Sequence, residues 1–121
     1  MLKIGITGQA GFVGTHLYNT LGLFPEEFER IDFQKEYFED PNQLNEFVAQ
    51  CDVIVHLAAI NRHESEQVIY ETNVRLAQNL VESLKRTNAT AHVLISSSTQ
   101  EERGNLYGQS KREGREAIAQ W

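Results

Sequence analysis

The chain has 121 residues, enough to bury one core, and its 40% apolar and 23% charged residues belong to a globular protein rather than a disordered one. A formal charge of −6 argues against a nucleic-acid footprint or an anionic membrane surface, since both recruit clustered Lys and Arg. A small phosphate-bearing ligand stays open, because a helix N-terminus binds phosphate locally whatever the net charge.

The first segment, LKIGIT at 2–7, alternates Leu2, Ile4 and Ile6 and then meets glycines, which predicts a strand followed by a turn. Val13, Leu17 and Leu21 follow Phe12 as a helical stripe, with Phe24 three further on, and Gly22 and Pro25 end it. FERIDF, 28–33, predicts a second strand interrupted by charges. Asp40 reads as an N-cap with Pro41 at the first helical position, and Leu44, Phe47 and Val48 form one face of the helix in DPNQLNEFVAQ. DVIVHLAA, from Asp52, is the β-branched run of a strand covered on both faces of a parallel sheet. Ile69, Leu76, Leu80 and Leu84 predict a helix within 65–86, TNAT ends it, AHVLIS is a further strand, and Leu106 to Trp121 reads as the last helix. Strands alternating with helices imply parallel pairing through right-handed crossovers. The fold class expected is therefore α/β: an open, Rossmann-like parallel sheet of order 3-2-1-4-5 with helices on both faces. No repeat or linker divides the chain.

TGQAGFVG sets Gly8, Gly11 and Gly14 between the first strand and the first helix. Glycines there let a phosphate approach the main chain and let the helix pack closely on its strand, while the helix dipole favours a pyrophosphate. A tight turn without ligand is the plainer reading, but the flanking strand and helix favour nucleotide binding. Asp32, 18 residues after Gly14, stands where an acid would accept hydrogen bonds from ribose hydroxyls and repel a 2′-phosphate. Arg30 and Lys35 lie nearby, and an ordinary surface Asp explains the position equally well, so the cofactor's phosphate preference stays open.

Tyr107 and Lys111 are four apart, so on a helix they share a face, and an ammonium there would lower the pKa of the phenol for proton exchange with a substrate oxygen. They follow a strand that ends in Ser96, Ser97 and Ser98. A solvated helix start is the plainer alternative. The single cysteine, Cys51, forms no internal disulfide, which fits a cytoplasmic chain. His16, His56, His63 and His92 are too scattered for a metal site, so none is expected. The N-terminus has no signal-like apolar region, and VIVHLAAI is too short to span a bilayer.

These four ordered motifs together resemble the extended short-chain dehydrogenase/reductase family, also described as NAD-dependent epimerases/dehydratases, which acts largely on nucleotide-linked sugars. TGQAGFVG resembles its glycine loop, DVIVHLAA its D-x-V-x-H-x-A-A strand, TNV at 72–74 its helix with a structural Asn, and SSS…YGQSK its serine and Y-x-x-x-K elements. The resemblance implies that Gly8, Gly11 and Gly14 meet a pyrophosphate and that Leu57, Ala58 and Ala59 border the cofactor; Phe12 and Val13 in the loop, and Asp32 by its position, are read with them as cofactor-binding residues. It makes Ser98 the catalytic serine, Tyr107 the acid/base and Lys111 its partner. Within the family, HLAAINR, SSSTQ and the short interval from Ser98 to Tyr107 resemble the N-terminal reductase domain of bifunctional enzymes of UDP-N-acetyl-L-fucosamine synthesis in surface polysaccharides. That group reduces a UDP-linked 4-keto sugar with NADPH, whereas Asp32 points to NAD, so NADP or NAD is expected. Gln100 replaces the Asp of related dehydratases, which disfavours dehydration; 4-epimerisation and a non-catalytic nucleotide-binding remnant are the competing readings. The resemblance makes residues 1–121 only the N-terminal part of a NAD(P)-binding domain, without the substrate-binding part, and an uncovered edge or face would favour a homo-oligomer.

Overall fold

A computed structural model describes residues 1–58, 65–95 and 106–120; the side chains of residues 106–108, 111 and 120 lie outside that description. Four parallel strands, β1 (Leu2–Thr7), β2 (Phe28–Ile31), β3 (Val53–His56) and β4 (His92–Ile95), form one sheet in the order β2-β1-β3-β4. The register sets Leu2 opposite Phe28, Ile4 opposite Val53, and Val53 opposite His92. This is the 2-1-4-5 run of the expected 3-2-1-4-5 order. The outermost strand is absent among the described residues, because the chain between β2 and β3 is taken up by a 3-10 turn, Lys35–Glu39, and helix α2, Pro41–Gln50. β2 therefore forms the sheet edge.

Helix α1 (Phe12–Leu21) covers one face, where Ile4, Ile6 and Leu21 are buried beside Leu17, Phe28, Val53 and Val55. Alternate strand residues point the other way. Ile54 joins Phe33, Phe47 and Val48 with Leu80 and Leu84 of α3 (Glu66–Arg86) and Ile118 of α4 (Leu106–Gln120) in a larger core. Helices thus lie on both faces, unequally.

Local chemistry fixes the helix ends. The Asp40 carboxylate accepts from the N–H groups of Asn42 and Gln43 at 3.1 and 3.3 Å, with Pro41 at the first helical position, as its sequence signal predicts. Ser65 caps α3, Lys85 and Arg86 occupy its last turn, and Asn88 stops it in the left-handed region at φ 52° while the Ala89 N–H returns to the Leu84 carbonyl. Among the described residues no helix is long and apolar enough to cross a membrane.

Two boundaries fall short of expectation. β2 stops at Ile31 rather than at residue 33, and β3 stops at His56, short of Leu57 and Ala58, whereas α1 ends at Leu21, just before the Gly22 expected to end it, with Phe24 in the turn that follows. The reason at β2 is a change of partner: Ile31 pairs with Gly5 of β1, whereas the Phe33 N–H donates to the Gln9 side chain.

Candidate functional site

The C-terminal ends of β1, β2 and β3 converge on the glycine loop. Gly8 has φ 77°, closed to most side chains, and a Cβ on it would lie 3.0 Å from the Ala58 nitrogen. A Cβ at Gly14 would stand 2.1 Å from the Gly8 carbonyl oxygen, so the first turn of α1 seats against the loop only because residue 14 lacks one. Gly11 is the N-cap and makes no side-chain cap, and no acidic residue occupies the first turn. The first N–H groups of α1 therefore have no side-chain cap, the state in which a helix N-terminus can receive an anion. Phe12 and Val13, at the start of α1, are 82% and 60% exposed.

Thr7 ties the loop to β3. Its hydroxyl oxygen accepts from the Leu57 and Ala58 N–H groups at 3.1 and 3.2 Å, and the hydroxyl shares a hydrogen bond of 2.7 Å with His56 Nδ1. Both side chains are buried, and the link fixes Leu57 and Ala58 beside Gly8. An apolar cavity of about 340 Å³ opens there, walled by Gly8, Phe33, Phe38, Ala58 and Leu76, with Lys35, Glu36 and Glu39 also lining it. Its size and lining suit one flat ring system.

Asp32 lies just past β2, exposed, with both carboxylate oxygens engaged: Oδ1 by Gln9 Nε2 at 3.3 Å and Oδ2 by Gln34 Nε2 at 2.8 Å. Arg30 is directed elsewhere. Its guanidinium lies 4.3 Å from the Tyr18 ring centroid and donates to the Tyr18 carbonyl at 3.3 Å.

Helix α4 carries Tyr107 and Lys111 on its first turns. Between them Ser110 is buried and accepts from Asn73 Nδ2 of α3 at 3.1 Å, and with His56, Ala58 and Ile95 it lines a small cavity at the ends of β3 and β4. The helical turn bearing the Tyr and Lys is therefore seated beside the same strand ends as the glycine loop. The Tyr107 and Lys111 side chains, Ala59, and Ser96, Ser97 and Ser98 lie outside the described residues.

Two other reactive groups are tied up. Burial, with Asp52 beside it, pushes the Cys51 thiol up to about 12, and it donates to the Phe47 carbonyl at 3.2 Å near the opposite end of the sheet. A hydrogen bond to Glu113, then burial and the charge of Glu113, raise the Tyr70 phenol above its ordinary range.

A model of the NAD dependent epimerase/dehydratase family matches residues 4–119. The chain belongs to this family. It is 33% identical over 121 residues to a UDP-2-acetamido-2,6-beta-L-arabino-hexul-4-ose reductase of Pseudomonas aeruginosa, a match that covers 97% of this chain and 31% of that enzyme. Among solved structures it resembles RMD from Pseudomonas aeruginosa complexed with NADPH, with a TM-score of 0.82 at 21% identity, covering 100% of this chain and 48% of that one. A dTDP-4-dehydrorhamnose reductase from Bacillus anthracis in complex with NADP gives the same TM-score at 22% identity, covering 99% of this chain and 50% of that one. The chain thus spans about a third of the curated relative and half of the solved neighbours.

For this epimerase/dehydratase family member the sequence pointed to the loop, Asp32, Leu57 and Ala58, and the structure brings these together. Gln9, Thr7 and His56 escaped notice as site residues. A hydroxyl closing a largely apolar strand, and a histidine closing another, were the signals available for Thr7 and His56; Gln9 gave none without the fold.

Proposed function

We propose that this chain is the dinucleotide-binding part of a reductase acting on a UDP-linked 4-keto sugar in surface-polysaccharide synthesis, in the cytoplasm. What carries the reading is the 33% identity to a UDP-4-ulose reductase over nearly the whole chain, joined to a glycine loop that fits a dinucleotide. The fit rests on the uncapped α1 N-terminus, the close seating of α1 and Ala58 on the loop that Gly8 and Gly14 permit, and the adjoining apolar cavity.

In this reading Gly8, Gly11 and Gly14, with the first N–H groups of α1, hold the pyrophosphate, and Phe33, Phe38 and Ala58 enclose the adenine. A bound nicotinamide supplies the hydride to the C4 carbonyl carbon. Ser98 orients the carbonyl oxygen, and Tyr107 donates the phenolic proton to it, so that the carbonyl becomes a hydroxyl; Lys111 stabilises the phenolate until solvent restores the proton.

The test is nicotinamide absorbance with NADH or NADPH and the UDP-4-keto sugar. Tyr107→Phe should lower turnover about a hundredfold or more while dinucleotide affinity stays within about threefold. Dinucleotide binding without oxidation by the unaltered protein would instead leave a nucleotide-binding module.

A further inference from the structure

We infer that Gln9 is a positioning residue that locks Asp32 for a ribose bearing a free 2′-hydroxyl, so that the chain favours NADH over NADPH; the inference rests on the nucleotide-binding reading above. Gln9 sits in the glycine loop, half-buried, and its carboxamide spans two groups at once. Its Oε1 accepts the Phe33 N–H at 3.2 Å and its Nε2 donates to Asp32 Oδ1 at 3.3 Å. The backbone donor decides the orientation: the amide oxygen must face the N–H, so the nitrogen must face the carboxylate. Gln34 Nε2 then holds the second oxygen at 2.8 Å.

A carboxylate offers about four acceptor sites, and each oxygen here has one neutral amide donor. One site on each oxygen remains, which matches the two donors of a vicinal ribose diol. A 2′-phosphate would bring acceptors and negative charge to the same place. The cations that could receive it are offset. Arg30 is held on the Tyr18 ring and carbonyl, and Lys35 lines the cavity together with Glu36 and Glu39. The ion pairs seen among the described residues, Arg75 with Glu39 and Arg86 with Glu82, leave Asp32 without a cationic partner. Because Gln9 belongs to the phosphate loop, one side chain couples the phosphate subsite to the ribose subsite.

Isothermal titration of NADH and NADPH into the 121-residue chain tests this with Gln9→Met, which keeps the bulk without the amide, Gln9→Ala, Asp32→Ala and the double variants. The unaltered chain should bind NADH about tenfold or more tighter than NADPH. Either Gln9 variant should weaken NADH about five- to tenfold and leave NADPH within about twofold, the size expected for loss of a hydrogen bond to a charged group. In the Asp32→Ala background the same Gln9 change should move NADH affinity by less than about twofold, because the effect runs through the carboxylate. A preference for NADPH in the unaltered chain, or an equal loss for both dinucleotides on changing Gln9, overturns the inference while leaving nucleotide binding intact. Binding of neither dinucleotide by the unaltered chain overturns the nucleotide-binding reading itself.

Discussion

Thr7 ends a largely apolar strand, yet its hydroxyl makes three contacts that no aliphatic residue of its shape can replace. The Leu57 N–H also reaches the Thr7 carbonyl at 3.1 Å, so the groups that depend on the hydroxyl are the Ala58 N–H and His56 Nδ1. Thr7→Val keeps the volume and removes the oxygen. It should destabilise the fold by about 1–3 kcal/mol, the usual cost of leaving buried polar groups without their partner. Thr7→Ser retains the oxygen and should recover most of that loss, since only a methyl group is then missing. Urea denaturation midpoints of the three proteins give the comparison, and a Val variant as stable as the parent would mean that water or another group replaces the hydroxyl. The consequence for the site is positional: without this tie, Ala58 is no longer held beside Gly8, and the cavity wall between them loosens.

Helices α3 and α4 approach closely because small residues meet. A Cβ on Gly114 would lie 3.2 Å from the Ala77 Cβ, and Ala77 is 2% exposed. Ala77→Leu should therefore cost about 1–3 kcal/mol of stability by overpacking and push the α4 turn that carries Tyr107 and Lys111 away from β3. The glycine loop lies on β1 and α1, so dinucleotide affinity should hold within about threefold while turnover falls further, a split that calorimetry and a turnover assay on the same preparation would reveal. Elements of this kind were readable from the chain wherever the signal is local: Asp40 with Pro41, the β-branched run of β3, and the glycines after Thr7 each fix their own structure. The missing outer strand and the early end of β2 were not readable, because both depend on which partner the backbone finds; the Phe33 N–H meets Gln9, 24 positions earlier, instead of a strand. Asp32 could be placed by its distance from the glycines, but what holds it required the register of β1 against β2.

The molecule as a whole is asymmetric about its sheet. On one face α2, α3 and α4 enclose a core that includes Phe47, Val48, Ile54, Leu80 and Leu84, all at most 2% exposed. On the other, among the described residues, α1 is the helix that covers Ile4 and Ile6, with Val53 and Val55 only half-buried and Leu94 49% exposed. Burial of apolar area is worth about 25 cal/mol per Å², so the α1 side is the less firmly held layer. Local opening follows such differences, which predicts that α1 amides exchange with solvent through smaller free-energy openings than those of α3. The loop proposed to receive the phosphates leads into the start of this same helix. A dinucleotide that bridges the α1 N-terminus, the end of β1 and Asp32 would therefore stabilise the weakest layer most. In hydrogen exchange at 100 times the dissociation constant of NADH, α1 amides that exchange by opening the site should gain protection approaching a factor of about 100, equivalent to about 2.7 kcal/mol. Amides of α3 that already exchange by smaller local openings away from the site should change little, whereas equal protection of α1 and α3 would show that the two layers open as one unit.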